Sequence, residues 1–231
     1  MIFIGGGSLL WRAVRSAANS GHSVDLVCVR PEETCPDGFP IAEVDDVNSV
    51  AAMIEAACSD DVVWSINNPS ILRAPVLDLG LRIYNIHNGP LPAYRGLPEI
   101  AITHALLNDE THYAATLHEV DRGIDTGAVL DVEEFPISPQ DRFQEVMLTG
   151  LRACHTLFER NLDLAVSATL TPVDSPSSSG GYYGRARLKE LASHRGNPGF
   201  ERAANLGVFT HLYPELAAAL AVPATTESVH S

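Results

Sequence analysis

Apolar and polar positions follow two rhythms along this chain. Short unbroken apolar runs occur at residues 1–4 (MIFI), 23–29 (SVDLVCV), 61–66 (DVVWSI) and 81–86 (LRIYNI). Runs of this length, bounded by turn residues and rich in β-branched side chains, predict buried strands. Between them the apolar spacing changes to three and four. Residues 9–20 predict a helix with Ser8 as its N-cap and Gly21 as its stop. Asp46 predicts a cap for a helix over 47–58, and a short helix over 71–77, irregular at Pro75, leads into the fourth strand. Strands alternating with helices of this length build parallel βαβ units covered on both faces, with ligands bound beyond the carboxyl ends of the strands.

The second half has a different grammar. A helix is predicted over 98–108, followed by strands over 113–120 and 127–135 joined by a tight loop at 121–126, and a long amphipathic helix over 139–166. Residues 174–181 (DSPSSSGG) have the composition of a linker. The tail resumes with Tyr182-Tyr183-Gly184 and a basic helix near 185–195. The predicted fold class is α/β, a Rossmann-like, mostly parallel sheet of six or seven strands with helices on both faces, plus a small C-terminal appendage. Residues 1–170 read as the catalytic domain, and residues 175–231 as a C-terminal arm of helices and loops.

Charge narrows the partners. Fifteen Lys and Arg stand against 29 Asp and Glu in 231 residues, a formal net charge of −14. Nucleic-acid binding needs clustered cations, so no nucleic-acid partner is expected. No apolar run approaches the roughly 18 residues of a membrane helix, and the N-terminal run lacks the basic flank of a signal peptide. No membrane partner and a cytoplasmic location are the expectations. Cys28, Cys35, Cys58 and Cys154 form no CxxC pair and no zinc pattern, so free thiols and no metal are expected.

The chemistry concentrates between residues 81 and 125. Asn85 and His87 are two apart at the end of a predicted strand and point to the same side. Asp125 lies in a loop after a later strand, and all three could meet at the carboxyl edge of the sheet. An amide, an imidazole and a carboxylate suit acyl transfer to an amine. The amide stabilises a developing oxyanion, the imidazole moves a proton, and the carboxylate supports the imidazolium or takes up the amine proton. Taken singly, an Asn-x-His pair at a strand end more often caps a turn, and an Asp beside a Gly more often builds one.

The segment NIHNGPLPAYRG, followed in order by Ile124-Asp125-Thr126-Gly127, resembles the signature of the folate-dependent formyltransferases. The family pattern is Asn-x-His, then Leu-Pro, an aromatic and Gly, matched by Asn85, His87, Leu91-Pro92, Tyr94 and Gly96. The wording is closest in style to the stand-alone amino-sugar N-formyltransferases. The resemblance implies 10-formyl-tetrahydrofolate as co-substrate, a primary amine on a small molecule as acceptor, and Asn85, His87 and Asp125 as the catalytic trio. It also implies a folate wall at Asn68, Ser70, Leu72, His118, Asp121 and Ile124. Gly7, Ser8, Tyr94, Arg95, Tyr182 and Tyr183 become candidates for the acceptor side, with Arg95 toward a phosphate and the tyrosines toward a base. Each has a plain alternative: a tight turn at Gly7 and Ser8, a helix-capping loop at Asn68 and Ser70, a satisfied sheet histidine at His118, an anchoring aromatic patch at Tyr182 and Tyr183.

Several features bear on the acceptor. Gly5-Gly6-Gly7-Ser8 lacks the third glycine of a dinucleotide fingerprint, where Leu10 stands. Tyr113-Ala114-Ala115-Thr116 replaces the Gly-Val-Thr of many family members, and the stretch GLPEIAITHALL departs from the glycinamide-ribonucleotide version. Residues 175–231 are too few for the large tRNA-holding domain of methionyl-tRNA formyltransferase. A nucleotide-linked amino sugar is therefore the expected acceptor, ahead of an amino acid or a peptide-like natural-product intermediate. A formyl-folate hydrolase and a non-enzymatic folate- or nucleotide-binding protein are the readings from other classes. A homodimer is compatible with the sequence.

Overall fold

The computed structural model describes residues 1–174 and 180–221. The middle of the predicted linker, 175–179, lies outside the described residues. Seven strands form one sheet: β1 (Ile2–Gly5), β2 (Leu26–Val29), β3 (Ile41–Glu43), β4 (Val62–Ile66), β5 (Arg82–His87), β7 (His112–Glu119) and β8 (Val129–Pro136). Their spatial order is β3-β2-β1-β4-β5-β7-β8. The first five are parallel, and β7 and β8 are antiparallel additions. The chain winds outward in both directions from β1 and β4, so the crevice beyond their carboxyl ends is the topological switch point of the sheet. A second sheet has two strands, β6 (Tyr94–Gly96) and β9 (Gly181–Tyr183).

Among the described residues seven α-helices surround the sheet: α1 (Gly7–Asn19), α2 (Ala51–Ala57), α3 (Ala74–Leu77), α4 (Pro98–Leu107), α5 (Phe143–Val166), α6 (Phe200–Ala204) and α7 (Pro214–Leu220). Strand alternation sorts the core into two layers. Phe3, Val27, Trp64, Tyr84 and Ile86 turn to the face covered by α1, α4 and α5. Ile2, Ile4, Leu26, Cys28, Val63 and Ile83 turn to the face covered by α2 and α3. Trp64 is fully buried against Tyr84 (5.4 Å between ring centroids) and the edge of Phe158 (4.9 Å). Truncating a ring at such a place typically costs about 3–5 kcal/mol.

The described residues of the arm, 180–221, supply no strand to the main sheet. Leu191, Phe200, Leu206, Phe209, Leu216 and Leu220 bury themselves in the layer that holds α4 and α5. The predicted basic helix is a run of 3₁₀ turns over Arg185–His194.

Local differences from the sequence reading have identifiable causes. Ser8 does not cap α1. The helix begins one residue earlier, at Gly7, with Gly6 at the cap position and no cap from its own turn. The acceptor comes from 26 residues away, where Glu33 Oε1 takes the Gly7 N–H at 2.9 Å. Asp46 does cap, but over a 3₁₀ turn (Val47–Val50) that precedes α2. Pro75 lies at the start of α3, where its missing N–H costs nothing, so the helix is shorter than 71–77. α5 starts at Phe143 rather than 139, behind a one-way cap in which Glu145 accepts from the Arg142 amide at 3.0 Å. Strands β3, β6 and β9 have three residues each, too few to carry a periodicity.

Candidate active site

β5 ends in Asn85-Ile86-His87, and the two-residue period sends Asn85 and His87 to one side. Asn85 Nδ2 donates to Ser65 O at the end of β4 (2.9 Å), which fixes the amide plane and uses one of its two hydrogens. The antiparallel register sets His118 of β7 directly opposite Asn85. Asp125 arrives from the loop after β7, in the left-handed backbone region (φ 52°), which Asp tolerates better than most residues. That loop is built by Asp121, whose Oδ1 accepts from the Gly123 amide (2.9 Å) and the Thr126 hydroxyl (2.6 Å). Gly127 closes it. A Cβ there would lie 1.8 Å from Glu119 O, so only glycine lets the loop fold back onto the end of β7.

The result is a cluster of two imidazoles around one carboxylate. His87 Nδ1 lies 3.7 Å from Asp125 Oδ2, and His118 Nε2 lies 3.6 Å from Asp125 Oδ1. His118 Nε2 also lies 3.2 Å from Asn85 Oδ1. Each ring has its outer nitrogen committed. His87 Nε2 meets Tyr94 O at 2.6 Å, and His118 Nδ1 meets Glu119 O at 2.7 Å. A carbonyl can only accept, so each outer nitrogen carries a hydrogen, which sets the tautomer of His87; the Asn85 and Asp125 oxygens beside His118 Nε2 also only accept, so those contacts become hydrogen bonds when that nitrogen carries a hydrogen too. The inner nitrogens both face Asp125, at distances longer than a direct hydrogen bond. Burial lowers the His118 pKa below its ordinary value, with His87 acting the same way, while Asp125, the Glu119 carbonyl and Asp121 oppose.

A three-residue strand holds both reactive partners. β6 offers Tyr94 O to His87, and its Gly96 amide donates to Asp125 Oδ2 at 2.8 Å. β6 in turn pairs only with β9, across the linker, with Tyr94 facing Gly181 and Gly96 facing Tyr183. The Tyr183 ring stacks on Tyr94 (5.0 Å, 15° between planes) and leans on His104 of α4 (5.0 Å). Gly89 is needed for a further reason. A Cβ there would stand 2.5 Å from His87 Nε2 and displace the ring.

The remaining predicted residues divide. Asn68 makes a local turn, accepting from the Ser70 amide at 2.9 Å. Leu72 is buried in the layer with Val76 and Ile83. Asp121 is spent on the loop described above, whereas Ile124 is 41% exposed at its tip. The Tyr94 side chain points into the core, where its hydroxyl donates to Glu110 Oε1 (2.8 Å) and accepts from Asn108 (3.0 Å). Tyr183 is half-buried in the aromatic stack, while Tyr182 is 47% exposed and stands beside Arg95 in register. Arg95 Nε is buried with no hydrogen-bond partner among the described residues. At the switch point, Gly7 and Ser8 open α1, but Glu33 Oε1 already accepts from the Gly7 amide and from Trp11 Nε1 (2.9 Å). Glu33, Gly89 and the backbone of β6 escaped the sequence reading. Only Gly89 left a signal, inside the NGP turn. Among the described residues no group of three or more His, Cys, Asp or Glu side chains is arranged for a metal ion. The four cysteines are free, and burial pushes Cys28 and Cys154 up to about 12, away from thiolate chemistry. No helix among the described residues is long and apolar enough to cross a membrane.

Residues 56–162, which contain the whole cluster, match the family model described as formyl transferase. Methionyl-tRNA formyltransferase from Synechococcus sp. (strain JA-3-3Ab) is 33% identical over 144 residues, covering 58% of this chain and 41% of that protein. The enzyme of the same name from Syntrophus aciditrophicus is 42% identical over 86 residues, 37% of this chain and 27% of the relative. The chain thus spans less than half the length of these curated relatives. Among solved structures, a sugar N-formyltransferase from Shewanella sp. superposes with a TM-score of 0.74 at 20% identity, covering 90% of this chain and 89% of that one. An N-formyltransferase from Helicobacter canadensis, solved with folinic acid and dTDP-3-aminofucose, gives 0.65 at 19% identity, covering 81% and 72%. At these identities the structures establish a shared fold.

Proposed function

We infer, for a chain that belongs to the folate-dependent formyltransferase family, that it moves a formyl group from 10-formyl-tetrahydrofolate to a primary amine, with a nucleotide-linked amino sugar as acceptor. The observation that carries the reaction is the cluster itself: the inner nitrogens of His87 and His118 are turned toward Asp125 at the carboxyl edge, and Asn85 lies against His118. Folates are bound in related structures, including the Helicobacter canadensis enzyme with folinic acid.

The amine attacks the formyl carbon, and the carbonyl oxygen becomes an oxyanion as the tetrahedral intermediate forms. The second Asn85 amide hydrogen, the one not used on Ser65 O, is the donor available to that oxygen. The attacking nitrogen must shed a proton. Asp125, with the two inner ring nitrogens within 3.7 Å, provides the basic surface that receives it. The intermediate collapses by breaking the bond to the folate nitrogen, which takes a proton delivered from the same cluster. In this reading residues 1–170 carry the reacting groups, and the described part of the arm braces them through β9.

One observation favours a nucleotide-linked acceptor, and a second says where its phosphates do not go. Arg95, beside the reacting groups on β6, has a guanidinium with no ion pair among the described residues, in a chain with a large excess of acid. A diphosphate is the complementary charge. At the switch point the opposite holds. The α1 N-terminus already carries the Glu33 carboxylate, which would repel a phosphate placed there. The test is a panel of nucleotide-linked amino sugars incubated with formyl-folate and the full chain, scored for a mass gain of one formyl group. Folate released steadily without any amine would replace this reading with a hydrolase, and no turnover under any condition would replace it with a binding protein.

A further inference from the structure

We propose that a cavity between the first turn of α4 and the C-terminal arm seats the pyrimidine ring of the acceptor's nucleotide. The proposal rests on the reading above. The cavity measures about 180 Å³ and is bounded by Glu99, Arg185, Leu188, Leu212, Tyr213 and Pro214, among others. Drug-sized ligands need roughly 300–1,000 Å³, so this space suits one six-membered ring.

The lining chooses between the two rings of such an acceptor. A pyranose carries hydroxyls around its whole edge and needs polar partners on several sides. Here a little more than half of the wall is apolar, from Ile100, Leu188, Leu212, Pro214 and Leu216, and the polar remainder includes the half-buried Glu99 carboxyl. The other charged groups, Arg185 and Glu215, are mostly exposed and pair with each other across 3.5 Å. A pyrimidine, with two flat faces to set on the apolar residues and polar atoms along one edge to meet Glu99, suits such a mixed wall.

Glu99 is poorly satisfied without a ligand. No side chain among the described residues donates to it, and its pKa is raised by burial, against which its own amide and Arg185 act, with Glu215 adding to the rise. In either protonation state the carboxyl accepts from an N–H, and its protonated form adds an O–H donor beside that acceptor. The N3–H and C4=O edge of uracil or thymine is the matching pair.

Position agrees. Glu99 is three residues beyond Gly96, whose amide holds Asp125, so the two backbones lie within roughly 11 Å. A ribose and a diphosphate separate the reactive amine from the base, so the base belongs one such step away from Asp125, with Arg95 near the phosphates. The rival seat is the exposed ring of Tyr182.

The experiment measures binding of uridine monophosphate and adenosine monophosphate to the full chain by calorimetry, and acceptor and donor KM in the transfer assay. Leu212 is 58% exposed, so Leu212→Trp fills the cavity without disturbing the core. Circular dichroism checks that Glu99→Ala and Leu212→Trp fold. The expected result is uridine monophosphate binding weakened at least 10-fold in both variants, adenosine monophosphate at least 10-fold weaker than uridine monophosphate in the unmodified chain, and a raised acceptor KM with an unchanged donor KM. Intact binding in both variants, loss in Tyr182→Ala instead, or equal binding of the purine would each overturn the seat. Those outcomes leave the transfer reading standing if nucleotide-linked sugars are still formylated. If no such sugar is formylated, the transfer reading fails by itself, and loss of uridine monophosphate binding in Leu212→Trp still identifies the cavity as the seat.

Discussion

Two places on the same edge of the sheet end in similar hardware and have opposite states. Beyond β1, the glycine loop and the first turn of α1 present backbone donors, and the chain has used them itself. Glu33 accepts from Gly7 and Trp11, and Asn67 Nδ2 donates to Gly6 O at 2.9 Å. Beyond β5, the backbone also does the holding, through Tyr94 O and the Gly96 amide, yet it holds side chains by their outer atoms and leaves the inner ones facing each other. The difference separates a structural end of a sheet from the one proposed to react. Where two imidazoles and a carboxylate are fixed from behind and spaced beyond direct contact in front, a substrate completes the network.

The comparison breaks most visibly at Asp125. Asp125→Asn keeps the shape and removes the shared charge, and His87→Asn removes one of its partners. Each is expected to lower kcat about 10²- to 10⁴-fold with a small change in folate affinity. Because both act through one carboxylate, the double variant should be little worse than either single one. Near-normal turnover in Asp125→Asn, or strictly multiplied losses in the pair, would show that the cluster does not act as a unit. Next in size is Asn85→Ala, which removes the free amide hydrogen and should cost roughly 10²- to 10³-fold in kcat. An effect confined to KM would assign Asn85 to binding instead.

Glu33 tests the other end. Glu33→Ala should leave kcat close to normal and cost about 1 kcal/mol of stability, as the loss of a helix-capping acceptor does. That corresponds to a fall in Tm of roughly 2–4 °C for a chain of this size. If the variant instead gains affinity for phosphate-bearing acceptors, the two ends differ only by a carboxylate plug, and the contrast drawn above sharpens into one of specificity.

The smallest effect concerns the brace behind the reactive end. His104, packed on Tyr183, has its ring pushed down to about 4, first by burial and then by Arg187 and His194, with Glu190 opposing. The folded chain therefore keeps this ring neutral while the unfolded chain takes up a proton as pH falls through about 6.5. Stability from this group is full above that value and declines as pH drops from about 6.5 toward 4. Thermal melts across that window should show a shallower decline in His104→Phe. Parallel curves would mean that other groups carry the dependence.

Much of this molecule was legible along the chain. The alternation in β1, β2, β4 and β5 and the spacing of α1 and α5 are local consequences of side-chain geometry, so they predicted the parallel sheet and its two-layer core. Asn85, His87 and Asp125 were readable because amide, imidazole and carboxylate are distinct chemical types in a recognisable order. The tertiary structure alone decided which nitrogen of His87 faces Asp125, that His118 lies opposite Asn85, that Glu33 caps a helix 26 residues away, and that a strand from beyond the linker braces the reactive edge. The physical reason is common to all four. Each depends on a backbone N–H or C=O, or on a register between distant segments, and every residue carries those same groups, so nothing in the identity of a side chain announces them.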